Sequence, residues 1–114
     1  MAIRKGTVAS SVFYTEPGAP TSVTGTAGNA QVSLSWTAPA FTGYTNITDY
    51  VIQYSTSATF ASSVTTFSDG VSSSTSTTVT GLTNGTTYYF RVAAVNTVGP
   101  SQYSSISSPA VGPA

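Results

Sequence analysis

The chain has 114 residues, enough for one domain and too few for two ordinary ones. Only 5% of its residues are charged, and three basic residues balance three acidic ones. That leaves no basic footprint for a nucleic-acid backbone, and Arg4 and Lys5 are too few for polybasic attraction to an anionic membrane. The absence of Cys and His removes disulfides, the usual zinc ligand sets and the Ser-His-Asp and Cys-His catalytic arrangements.

In chain order, residues 1–16 form a segment of their own. Ile3, Val8, Val12, Phe13 and Tyr14 are more apolar than a solvated tail needs, and Arg4 and Lys5 sit near its tip. It has no apolar stretch of the ~7–15 residues that an export signal carries. The segment reads either as an extra strand on its own domain or as an arm that anchors the chain to a protein partner. Pro17-Gly18 would be the hinge between arm and domain.

"QVSLSWTA", from Gln31, alternates Val32, Leu34 and Trp36 with serines, the period-two pattern of a half-buried strand. "TAPAFTGYTN" follows as a loop, with Pro39 and Gly43 as breakers. Its Phe41 and Tyr44 either fold back as a lid or stand exposed to bind a sugar ring or a partner. "ITDYVIQYS" is the next strand, with Tyr50, Ile52 and Tyr54 on one face. "SVTTF" reads as a short edge strand and "TSTTVTGL" as a strand through Val79. The longest strand runs through Tyr88, Phe90, Val92 and Ala94 inward, with Tyr89, Arg91, Ala93 and Val95 outward. Tyr89, outward beside Arg91, reads as an ordinary surface aromatic, with a cation–π pair or an interface contact as the alternative. Gly99-Pro100 turns the chain, and "QYSSISS" reads as a last strand. Short strands at regular spacing, without a helical period, indicate an antiparallel β-sandwich of about seven strands.

"PGAPTSVTGTAGNAQVSLSWTAP", "ITDYVIQYS" and "GLTNGTTYYFRVAAVNTVGPSQYS" stand in the order found in a fibronectin type III domain. The stretch from Pro17 to about Pro109 resembles that family, leaving residues 110–114 as a tail. The resemblance implies an all-β, immunoglobulin-like sandwich with Trp36 as central plate. Leu82 and Tyr88 would form a tyrosine corner, a buried phenol bonded to an upstream backbone group. Tyr50, Ile52, Phe90 and Val92 complete the expected core. The Arg-Gly-Asp of integrin-binding members is absent from "NTVGPS".

No cofactor is expected. A glycosidase needs two carboxylates flanking a bond, and nothing in the sequence brings Asp49 and Asp69 together. The sequence therefore reads as a non-enzymatic structural or adhesive protein. Lack of an export signal on an exterior-type fold suggests a phage particle component, bound to capsid or tail protein or to its own copies, with a host surface glycan as a further partner. The alternatives are an extracellular spacer or carbohydrate-binding module of a secreted polysaccharide-degrading enzyme, or a repeating filament subunit.

Overall fold

A computed structural model describes residues 14–68 and 70–107. Six strands are described: β1 (Thr21–Gly28), β2 (Gln31–Thr37), β3 (Asp49–Ser55), β4 (Thr65–Phe67), β5 (Ser76–Thr80) and β6 (Tyr89–Val95). They form two antiparallel three-stranded sheets, in the orders β1-β2-β5 and β4-β3-β6. Burial on β2 follows its sequence alternation residue by residue. Its apolar side chains point at the other sheet while its serines face water.

Trp36, Tyr50, Ile52, Leu82, Tyr88, Phe90 and Val92 all lie in one buried cluster, joined by Val23, Val32, Leu34, Val79 and Ala94. Trp36 meets Tyr50 edge to face at 5.2 Å, and Tyr54 meets Tyr88 in the same way at 5.7 Å. Burial pushes the Tyr50 phenol above its usual pKa, and the neighbouring Trp36 indole works against that rise. The indole N–H nevertheless makes no geometrically sound hydrogen bond. It is the one fully buried side-chain polar atom without a partner among the described residues. The Trp36–Tyr50 contact is thus chiefly aromatic packing.

The corner forms as expected, with the Thr83 N–H donating to the Tyr88 hydroxyl at 3.0 Å. The turn before β6 also reaches the β1–β2 hairpin. Ala30 takes a left-handed conformation there (φ 56°). Its N–H donates to Asn84 Oδ1 at 2.7 Å, and its carbonyl accepts from the Leu82 N–H at 3.0 Å. Asn84 therefore ties two turns 54 residues apart in sequence.

The structure departs from the sequence reading at two points and decides between alternatives at a third. "QYSSISS" is not a regular strand. The N–H groups of Ser101, Ser104 and Ser107 donate to the carbonyls of Ala94, Val92 and Phe90. In return, the N–H groups of those three β6 residues donate to the serine hydroxyls, at 2.9–3.1 Å. Two residues of β6 advance about 6.7 Å. The serines are three residues apart, so this segment advances only about 2.2 Å per residue, too coiled for a strand. Second, Arg91 does not pair with Tyr89. Its guanidinium lies between the rings of Phe60 and Tyr103, at 4.4 and 4.3 Å, and both Nε and Nη2 donate to Gln53 Oε1. Third, Ala93 is buried although it alternates outward. Its methyl is short and sits on a strand flanked by β3 and the serine segment.

The two kinds of hydroxyl contact should differ in cost. Ser104→Ala leaves the Val92 N–H unanswered in the interior, and should destabilise by about 1–3 kcal/mol. Tyr88→Phe frees the N–H of Thr83, an exposed residue that water can reach. It should cost about 0.5–1.5 kcal/mol. Urea unfolding of both variants checks the order; a costlier Tyr88→Phe would mean that the corner outweighs the serine clamp.

Candidate interaction surface at one end of the sandwich

Asn96 follows the last residue of β6 and is buried. Its Nδ2 donates to the carbonyls of Thr15 (2.7 Å) and Thr42 (2.9 Å). Its Oδ1 accepts from the N–H groups of Val98 (2.9 Å) and Gly99 (3.2 Å). Both donor hydrogens and both acceptor lone pairs are used, which fixes the orientation of the amide. One side chain thus gathers the N-terminal segment, the β2–β3 loop and the turn after β6. Two backbone bonds reinforce the junction, Thr15 N–H to the Gly43 carbonyl and Gly18 N–H to the Phe41 carbonyl.

Gly43 is required at this junction. It has φ 82°, and a Cβ there would overlap the Thr15 carbonyl oxygen and Asn96 Nδ2. The next residue, Tyr44, is also left-handed (φ 68°). For a bulky aromatic residue that conformation costs about 1–3 kcal/mol and persists only where the surroundings impose it.

The junction presents apolar side chains to solvent. Tyr14 is 53% exposed, Phe41 44%, Tyr44 70% and Val98 44%. Phe41 and Tyr44 do not close over the sandwich as a lid. They meet each other edge to face, 5.2 Å apart at 87°. Pro17 is buried and Gly18 is bonded, so the expected hinge lies inside the bonded part of the domain. Ile3, Val8, Val12 and Phe13 lie outside the described residues, as does Asp69.

Asp49 is at the start of β3, where its Oδ1 accepts from the Ser72 N–H at 3.1 Å. It thereby braces the β4–β5 connection. No cluster of three residues able to hold a metal ion occurs among the described residues. Two Asn-x-Thr triplets occur, Asn46-Ile47-Thr48 and Asn84-Gly85-Thr86; Asn84 is committed through both side-chain atoms to Ala30 and Asn29, whereas Asn46 is exposed.

Asn96 had gone unmarked in the sequence. The signal that could have found it is the spacing Asn96-x-x-Gly99, since an Asn side chain accepts backbone N–H groups two and three residues on in tight turns. The carbonyls of Thr15 and Thr42 leave no such local trace.

Comparison with known proteins gives a consistent result. The sequence matches the fibronectin type III domain family over residues 18–110. Among solved structures, the chain is similar to domains A168–A170 of titin. The identity is 32% and the TM-score 0.76, over 89% of this chain and 34% of that one. The chain thus spans about a third of the titin fragment. It is also similar to a fibronectin-like protein from Clostridium thermocellum, at 25% identity and TM-score 0.64, covering 81% and 90% of the two chains. A domain of human fibronectin type III domain containing protein 3 matches at 25% identity and TM-score 0.69, covering 92% and 94%.

Proposed function

Because the chain belongs to the fibronectin type III family, we propose that it is a non-enzymatic structural module, held in a protein assembly by the end that Asn96 organises. The observation that carries this reading is the exposed set Tyr14, Phe41, Tyr44 and Val98, drawn from three segments and fixed by one buried amide. Scattered surface apolar residues are ordinary; four of them on one preorganised junction point to a contact site. The strained Tyr44 fits the same reading, since strain concentrates at functional positions.

A protein partner suits this end better than a glycan does. Pyranose rings stack on open aromatic faces. Here the edge of one ring abuts the face of the other, so the pair does not form a coplanar platform. One structure that the chain resembles is a run of titin domains, and modules in series meet their neighbours at their ends. A place on a bacteriophage particle is the narrower form of this reading. It draws no support from the comparisons, and the end-on contact is proposed without it.

The test is photo-crosslinking in the native host. A benzophenone amino acid at position 44 should join the chain to a defined protein, whereas the same group at position 26, within β1 and away from this end, should not. Substituting Phe41→Ser in the position-44 variant should lower the yield at least tenfold. Equal yields from the two positions, or no protein product from position 44, would sink the proposal.

A further inference from the structure

The described residues form four sheet edges, and three are blunted. β1 changes register between Thr21 and Thr24, with Ser22 left-handed at φ 55°. β4 is three residues long. The flank of β6 away from β3 is occupied by the coiled serine segment, which is no template for a strand. The fourth edge, β5, runs five residues in unbroken register with β2, from Ser76↔Ser35 to Thr80↔Gln31. Its sequence, Ser-Thr-Thr-Val-Thr, has no charge, no proline and no bulge, the usual devices that protect an edge.

The hydrogen-bond phase of this edge follows from one contact. The Trp36 N–H donates to the Thr75 carbonyl. Backbone groups on an antiparallel strand alternate in direction, so Thr75, Thr77 and Val79 address β2. Ser76, Thr78 and Thr80 turn their N–H and C=O groups outward. Their side chains are exposed as well. The Ser76 carbonyl accepts from the Ser74 hydroxyl at 3.2 Å. No other partner occurs among the described residues for the outward backbone groups.

We propose that β5 is a homophilic edge, on which a second copy of the chain docks its own β5 antiparallel about a two-fold axis through Thr78. Three features select a second copy as the occupant. The five residues are self-complementary in this register: Thr78 opposes Thr78, Ser76 opposes Thr80 and Thr77 opposes Val79. Hydroxyl-bearing and β-branched side chains are favourable cross-strand neighbours. The outward N–H and C=O groups at 76, 78 and 80 coincide across the axis, so the pairing answers Thr78 and Thr80 directly. Finally, no residue from Val71 to Thr80 is charged, so two copies meet without like-charge repulsion. A two-fold contact closes on itself, and joins two three-stranded sheets into one of six. The contact is narrow, so the dimer is a weak and concentration-dependent one. It lies on β5, separate from the end patch, and neither proposal needs the other.

The symmetry supplies the test. In sedimentation equilibrium the full chain should move from monomer to twice the monomer mass as its concentration rises from about 10 μM to about 1 mM, the range of weak association. Thr78→Lys alone and Thr78→Glu alone should each remain monomeric at the upper concentration, because like charges then face each other across the axis. Mixed in equal amounts, the two variants should form a one-to-one dimer at least tenfold tighter than the unsubstituted one. Unchanged unfolding midpoints would show that the variants are folded. The proposal is overturned if the unsubstituted chain stays monomeric at 1 mM, if either variant dimerises alone, or if the mixture does not pair. Dimerisation by Thr78→Lys alone would point instead to a contact elsewhere on the chain.

Discussion

Phe90, Val92 and Ala94 each give their amide hydrogen to a serine hydroxyl and receive that serine's own N–H on their carbonyl. On its other flank β6 pairs with β3 over seven residues, from Asp49↔Val95 to Ser55↔Tyr89. β6 is buried on one face and half-buried on the other, and such a strand must have its backbone groups answered on both edges, because an unpaired buried amide loses its hydration without return. This constraint organises the sandwich. β6 carries Phe90 and Val92 into the core, follows the turn that Tyr88 and Asn84 anchor, and delivers Asn96 to the end where three segments meet. Each serine hydroxyl takes the place that a strand carbonyl would otherwise fill. Side chains thus extend the sheet where the backbone has lost its strand geometry.

Most of the fold was legible in local pattern. Val32, Leu34 and Trp36 announced β2 by alternation, while the corner of Leu82 and Tyr88 was implied by the family resemblance. Nothing in the local sequence shows that Asn84 reaches across to Ala30. What sequence pattern missed has a common cause. Ser101, Ser104 and Ser107 follow a period of three, which period-two reading dismisses as solvent-facing polarity. Arg91 took Phe60 and Tyr103 rather than Tyr89, which shares its face two residues away; both chosen rings come from segments outside β6 that local strand pattern cannot place. The exposure of Phe41 and Tyr44 depends on Asn96, more than 50 residues away, so no reading of the loop by itself could decide between lid and surface.

The near absence of charge gives these contacts their character. Arg91 is the only cation among the described residues, and two aromatic faces and a glutamine amide hold it without a carboxylate. The structure relies on directional hydrogen bonds and aromatic packing, which are little affected by salt. The same neutrality removes the repulsion that keeps most surfaces apart. What remains to discriminate among partners is shape and backbone phase, and both are sharply defined at the Asn96 end and along β5.

The serine clamps also bear on how the domain would carry mechanical load. The N-terminal segment is attached beside Asn96, at one end of β6. The C-terminal segment runs along β6 from Ala94 to Phe90, and leaves towards the opposite end. Tension between the two ends therefore pulls the serine segment lengthwise along β6. All three clamps are strained in shear at once, each with a donor and an acceptor contact. They cannot open one after another as in a peeled zipper. The contacts at the other end, Thr15 to Gly43 and Gly18 to Phe41, join a short segment to a loop and would yield first. Under stretch the domain would lengthen from its N-terminal side while the sandwich beneath stayed closed.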